Sequence, residues 1–197
     1  LNTHSYGNTE TSDLWDAIET AVSNDGGEPV RELMDSWIWQ PGYPLILASL
    51  DATKTKLILQ QQRFSFTPEL LTETQHWLVP VHIRMNGSDT KYLLSDQPLE
   101  ISINNSNEAM VINAGGYGYY RVAYSPELLT RLQGSELAKL AVIERYSLVD
   151  DAWNAVVAGR LTAIDFVSFV SGFTHERDLA VWQAIASGPK TGPLECL

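Results

Sequence analysis

The four histidines are the first residues to test for chemistry, because imidazole is a common zinc ligand and general base. They are His4, His76, His82 and His175. A catalytic zinc site often uses two histidines one helical turn apart, so that both rings point to the same side. The closest pair is six residues apart on a strand-like segment, which predicts rings on one face but about 20 Å apart. The spacing therefore predicts no zinc site in this chain.

His175 followed by Glu176 resembles the beginning of a His-Glu-x-x-His zinc motif, but position 179 is leucine. We therefore interpret His175 as a solvent-facing residue at the start of a helix, not as a ligand. His82 is expected on the outward face of a strand, and His4 in a loop.

Three further features invite a catalytic interpretation. Cys196 lies in a tail punctuated by Gly and Pro, which is a poor setting for an ordered nucleophile. The Gly-rich stretch 115–118 resembles a phosphate loop, but the strand-like run after it offers no helix N-terminus, so we predict a tight turn. Asp150 and Asp151 could form a carboxylate pair, although two acids that open a helix favour its dipole. We predict no catalytic, cofactor-binding or metal-binding residue here.

The composition is that of a globular, acidic protein. The 197 residues are 44% hydrophobic, and 24 acidic residues against 13 Lys and Arg give a net charge of −11. A negative surface repels nucleic acid and anionic lipid, so we expect neither nucleic acid nor membrane as a partner. No apolar run approaches the roughly 20 residues of a spanning helix, and the sequence begins without a signal-peptide pattern.

The hydrophobic periodicity divides the chain into three parts that must position any site. Residues 1–43 have helical spacing, which predicts a short helical hairpin. In residues 44–124, apolar and polar residues alternate with a period of two through about seven short strands. Asn86-Gly87 is typical of a hairpin turn, so this part is predicted to form an antiparallel β-sandwich. Residues 125–197 return to helical spacing and predict the start of an all-α bundle or solenoid. The predicted fold class is therefore α+β in several parts.

The helical third part predicts several helices after Ser125 and Pro126, a typical cap and first helical residue. One helix is expected over 137–148 and another over 152–159, where Gly159 suits a helix end. Thr162 and Asp165 predict a capping pair for the next helix. The side chains expected to be buried on that helix are Ile164, Phe166, Val167 and Val170. A last helix is expected to carry Leu179, Trp182 and Ile185.

Three stretches carry more specific patterns, and they occur in a set order. The first, over residues 6–44, contains YGN, DLW, MDSW and QPGYP. The second is INAGGYGYYRVAY at 112–124. The third begins with ERYSLVDDAW at 144–153 and continues through GRL to WQAI at 182–185. In this order they resemble the aminopeptidase N family of zinc metallopeptidases, which are gluzincins.

The resemblance implies a fragment. Residues 1–43 would end a thermolysin-like catalytic domain, residues 44–124 would form the β-sandwich domain, and residues 125–197 would begin the C-terminal helical domain. The zinc ligands, the glutamate base, the transition-state tyrosine and the GxMEN-type motif would all lie upstream of position 1. The parent would be a cytoplasmic zinc aminopeptidase that releases N-terminal amino acids from peptides. This fragment would bind no zinc and would be inactive alone.

The partners implied by the resemblance are the missing catalytic and helical domains of the same polypeptide, with peptides as substrates of the parent. Arg121 and Arg145 are expected in packing or ion pairs rather than in substrate contacts. The alternative hypothesis is a stand-alone interaction module, a β-sandwich with a helical extension and no enzymatic role. The hairpin at the start and the incomplete helical part at the end favour the fragment hypothesis. A fragment should expose apolar patches where the missing domains would dock, and it should therefore self-associate.

Overall fold

The computed structural model describes residues 5–23, 29–67, 75–104 and 107–188. Within these ranges the chain has six α-helices and seven strands, in the order helices, strands, helices. The predicted α+β class is confirmed. His4 and Cys196 lie outside the described residues. The chain divides into two compact units, Leu1–Pro41 and Gly42–Leu197.

The first unit contains two helices that pack against each other, α1 (Thr11–Ser23) and α2 (Val30–Ile38). The Asp13 carboxylate accepts a hydrogen bond from the Glu10 N–H at 2.8 Å, and its charge lies in the first turn, where it favours the helix dipole. Asp16 and Arg31 form an ion pair between the two helices. The predicted helical hairpin is confirmed.

The strands of the second unit form two sheets. They are β1 (Pro44–Leu50), β2 (Lys56–Arg63), β3 (Val79–Met85), β4 (Ser88–Leu94), β5 (Leu99–Ser102), β6 (Val111–Ile112) and β7 (Arg121–Tyr124). The first sheet has the order β5-β2-β1-β7 and the second β4-β3-β6. All neighbours are antiparallel except β1 and β7, which are parallel, so the all-antiparallel prediction is wrong at this pair. A parallel pair needs a long crossover, and strands β2 to β6 supply it.

The predicted alternation and turn are present in β3 and β4. Val79, Val81 and Ile83 are fully buried, and the residues between them are partly or fully exposed. Asn86 and Gly87 connect the two strands with φ values of +51° and +71°, as a two-residue hairpin turn requires.

Gln61 of β2 links the two sheets. Its side-chain nitrogen donates to the carbonyl oxygens of Trp77 and Ser95, each at 2.6 Å, and its side-chain oxygen accepts from the Trp77 N–H at 2.9 Å. Trp77 precedes β3 and Ser95 follows β4, so one side chain holds the ends of the second sheet against the first. The full face-to-face arrangement of a β-sandwich stays a prediction.

The helices after the sheets are α3 (Pro126–Arg131), α4 (Val142–Val157), α5 (Ala163–Val170) and α6 (Leu179–Ser187). The helices predicted at 137–148 and 152–159 are wrong in their bounds. Leu137–Lys139 is a short 3-10 turn, and α4 is one continuous helix. The reason is local: Leu140 and Ala141 are extended, with ψ of 144° and 155°, so the helix can begin only after them. No helix among the described residues is long and apolar enough to cross a membrane.

The start of α5 agrees with the prediction, and its buried face agrees only in part. The Thr162 hydroxyl accepts from the Asp165 N–H at 3.0 Å and donates to the Asp165 carboxylate at 2.7 Å, which confirms the capping pair. Ile164 and Val167, predicted to be buried, are 81% and 62% exposed. Phe166 is buried as predicted, with its ring against Trp153 of α4, and Phe169 is buried as well. An aromatic ring buries more apolar area than a branched aliphatic side chain, which favours this orientation.

Candidate functional site

The histidines in the described residues occupy unrelated settings. His76 is exposed ahead of β3, and His82 on β3 contacts the ring of Tyr117, with 5.8 Å between ring centroids. His175 is exposed, as predicted, but it lies in a turn, because α6 begins only at Leu179. Across the described ranges, no three His, Cys, Asp or Glu side chains are grouped so that they could hold a metal ion.

A group of buried and partly buried charges lies where α4 meets the strands. We call its members the α4 junction: Arg84 on β3, Arg121 on β7, and Glu144, Asp150 and Asp151 on α4. Glu144 and Asp151 are seven residues apart, about two helical turns, so they project from the same side of α4. This side of the helix therefore presents acids to arginines that come from two different sheets.

Glu144 is the most completely buried charge of the junction, with no side-chain exposure. Its two oxygens accept from Arg84 Nη1 at 2.8 and 3.0 Å. They also accept from the N–H of Gly115 at 2.7 Å and of Ala141 at 2.8 Å. A buried carboxylate is tolerated only when it is paired and hydrogen-bonded, and here both conditions are met. Glu144 thereby connects α4 to β3 and to the Gly-rich loop.

The Gly-rich stretch is a tight turn, as predicted, and it also holds an anionic group. Gly115 and Gly116 have φ values of +78° and +69°, a conformation that favours glycine. The Asn113 side chain closes the turn by bonding the N–H and the carbonyl of Gly118, at 2.8 and 3.1 Å. The anion bound by the Gly115 N–H is the carboxylate of Glu144, from the same chain.

Gly118 is the most confined position of this turn. A Cβ added there would lie 1.9 Å from the ring of Tyr120, which is 8% exposed. We expect Gly118→Ala to lower the free energy of unfolding by about 3 kcal/mol, the upper end of the cost of overpacking, measured by urea denaturation. Gly134→Ala is the control, because its φ is +60° but a Cβ there meets nothing within 4 Å. It should cost only about 1 kcal/mol of backbone strain. Equal losses for both variants would contradict the steric explanation.

Arg121 joins β7 to α4 through two acids. Its Nη1 lies 2.5 Å from Asp150 Oδ2 and 3.0 Å from Asp151 Oδ1, and its Nε donates to the Tyr43 hydroxyl at 3.3 Å. The other oxygen of Asp151 accepts from the Val122 N–H at 3.0 Å. The ion-pair role predicted for Arg121 is the one that the structure shows.

Asp150 and Asp151 do not open a helix, which corrects the prediction. They lie in the second half of the continuous helix α4, away from the first turn where acids favour the dipole. The Asp151 side chain is only 11% exposed. Burial raises the pKa of Asp151 to about 7, and the charge of Arg121 and the Val122 N–H offset only part of this effect. The junction therefore contains a carboxyl group that ionises near neutral pH.

Arg145, in the first turn of α4, pairs with Glu176 outside the α4 junction. Its Nε and Nη2 bind the two oxygens of Glu176 at 2.6 and 3.1 Å, and its Nη1 donates to the Leu140 carbonyl at 2.5 Å. Glu176 also accepts from the N–H groups of Arg177 and Asp178, both at 2.8 Å. The Arg145 hydrogen bond is the main reason that the pKa of Glu176 falls to about 2. The ion-pair role predicted for Arg145 is therefore observed as well.

The sequence of this chain is similar to known proteins along most of its length. Residues 109–190 match the family model described as the ERAP1-like C-terminal domain. The chain is 31% identical over 187 residues to Tricorn protease-interacting factor F2 of Thermoplasma volcanium, which covers 95% of this chain and 22% of that protein. It is 30% identical over 197 residues to the puromycin-sensitive aminopeptidase of Caenorhabditis elegans, covering 95% and 20%. It is 29% identical over 188 residues to mitochondrial aminopeptidase 2 of Saccharomyces cerevisiae, covering 94% and 19%.

The chain belongs to the aminopeptidase N family. It spans about a fifth of the length of the curated relatives that it matches. Within this aminopeptidase N segment, Arg121, Glu144 and Asp151 lie inside the matched C-terminal domain, and Arg84 lies ahead of it. The Arg84–Glu144 pair therefore ties the matched domain to the strands that precede it.

Proposed function

We propose that this chain is a non-catalytic structural part of a zinc-dependent aminopeptidase that releases N-terminal amino acids from peptides. The observation that supports this most is the match along 94–95% of the chain to relatives named aminopeptidases, of which it spans about a fifth. Zinc, its ligands and the peptide-binding residues would then belong to other parts of the same polypeptide. We further propose that the whole enzyme is cytoplasmic.

In this proposal the three sequence parts are pieces of three domains. Residues 1–43 end the catalytic domain, residues 44–124 form the β-sandwich domain, and residues 125–197 begin the helical domain. The catalytic domain, the remaining helical domain and peptide substrates are the partners of this segment.

The α4 junction has a mechanical role in this proposal. Glu144 joins α4 to β3 in one sheet, and Asp151 joins the same helix to β7 in the other. Two buried pairs on one helix resist movement of α4 against the sheets, because breaking either pair leaves a buried charge without its partner. A stiff joint would hold the helical part at a constant position, as the alignment of a bound peptide for catalysis requires.

The test is aminopeptidase activity with added zinc on a panel of chromogenic aminoacyl amides. The purified 197-residue chain should show no turnover above the buffer blank. The full-length product of the same gene should show turnover that a chelator removes and zinc restores. Chelator-sensitive turnover that copurifies with the 197-residue chain would overturn the non-catalytic role. A full-length product without such turnover would overturn the proposed enzyme.

A further inference from the structure

A pocket of about 290 Å³ opens beside the α4 junction. Four tyrosines from three parts of the chain line it: Tyr43 ahead of β1, Tyr119 and Tyr120 in the loop before β7, and Tyr146 on α4. Asp150 and Arg121 also line the pocket. It is therefore an aromatic-walled cavity with charged groups.

Two of the tyrosine rings have exposed surface. Tyr119 is 74% exposed and Tyr146 is 38% exposed. The rings of Tyr43 and Tyr119 lie 5.6 Å apart at 56° to each other, so they form a corner rather than a closed stack. The face of an aromatic ring carries negative charge density and attracts ammonium and guanidinium groups within about 6 Å.

The charges of the pocket also favour a cation. The Asp150 side chain is 39% exposed, and only its Oδ2 is bonded, to Arg121. Within the described residues, Oδ1 of Asp150 makes no hydrogen bond. Arg121 is already engaged, because it binds both acids and lies over the Phe64 ring at 5.3 Å. Two carboxylates face one guanidinium, so the pocket has an excess of one negative charge above about pH 7, where Asp151 is ionised.

We propose that this pocket binds a cationic side chain, the ammonium of a lysine or the guanidinium of an arginine, presented by a peptide segment. The cation lies against the rings of Tyr119 and Tyr146 and pairs with the open oxygen of Asp150. An anion is disfavoured, because the two aspartates flank the only arginine of the pocket lining. An uncharged ligand of the same length gains the ring contact but not the ion pair.

The test is a titration of the 197-residue chain with N-acetyl-arginine amide and N-acetyl-lysine amide, followed by NMR chemical shifts. N-acetyl-norleucine amide is the uncharged probe of matched length. We expect saturable, millimolar binding of the two cationic probes and at least about fivefold weaker binding of the neutral one. No saturation by either cation, or equal binding of the neutral probe, would overturn the proposal.

Two variants locate the binding. Tyr119→Ala removes an exposed ring, so the fold should persist, and binding should weaken about 2- to 5-fold. Asp150→Asn should weaken the binding of cations and leave the neutral probe unchanged. Tyr117→Ala is the matched control, because Tyr117 is 79% exposed in the same loop but does not line the pocket. Equal effects of Tyr117→Ala and Tyr119→Ala would place the cation elsewhere and would also overturn the proposal.

The same titration on the full-length product distinguishes two sources of the cation. Retained binding identifies an external basic peptide as the ligand. Binding that occurs only in the 197-residue chain shows that the longer polypeptide covers the pocket and would overturn an external peptide as its ligand. The readout is binding, not turnover, so its result is independent of whether the proposed enzyme activity is found.

Discussion

Replacing Glu144 by alanine is expected to lower the free energy of unfolding by about 3–5 kcal/mol, the usual cost of breaking a buried ion pair from one side. The variant leaves the Arg84 guanidinium without its buried partner and leaves the N–H groups of Gly115 and Ala141 without acceptors. Each unsatisfied buried donor adds a desolvation cost. Urea denaturation of the 197-residue chain, followed by circular dichroism, measures the loss.

The control uses the same arginine. Asp89 binds Arg84 from the solvent side at 2.6 Å, and its side chain is 59% exposed. Asp89→Asn should therefore change the stability little, because exposed ion pairs contribute little. Glu144→Gln should fall between the two, since it keeps the shape and one acceptor but places an amide group near donors. If Glu144→Ala cost no more than Asp89→Asn, Glu144 would not hold the junction together.

Replacing Arg121 by methionine is expected to destabilise the chain by about 3 kcal/mol at pH 8, because the buried Asp151 carboxylate loses its only cationic partner in the described structure. Methionine keeps much of the length and the apolar contact of the arginine stem. Lys56→Met is the matched control, because Lys56 pairs with Glu100 on the exposed face of the first sheet. It should have little effect.

The pH dependence provides a second readout of the same pair. The pKa of Asp151 is raised from its ordinary 3.8 to about 7, so the folded chain keeps a proton that the unfolded chain releases in this range. Stability contributed by this group therefore falls as pH rises from about 4 to about 7. Without Arg121 the folded-state pKa rises further, so Arg121→Met should cost more at pH 8 than at pH 5.

The double variant Arg121→Met/Asp151→Asn should recover most of the stability at pH 8, because no buried carboxylate is left unpaired. It should also flatten the pH dependence between about pH 4 and pH 7. Denaturation curves at pH 5 and pH 8 measure both effects. An equal penalty at the two pH values, together with no recovery in the double variant, would show that Arg121 acts by packing alone.

The sequence by itself determined the features that depend on near neighbours. The Asn86-Gly87 turn and the Thr162–Asp165 cap each involve residues within three positions of one another. The change of hydrophobic period determined the order of helices, strands and helices, because burial of one face imposes that spacing on any fold. The motif order from residue 6 to 185 also indicated the family, which the comparisons confirmed.

Only the tertiary structure decided the α4 junction, because its partners are distant in sequence. Arg84 and Glu144 are 60 positions apart, and Arg121 and Asp151 are 30 apart. A lone acid in a helical pattern is predicted to be solvated or to favour the dipole, and no local signal shows that an arginine of another element will face it. The exposure of Ile164 and Val167 on α5 was not predicted for the same reason: helical spacing allows either apolar side of the helix to face inward, and contact with α4 selects the side that carries Phe166.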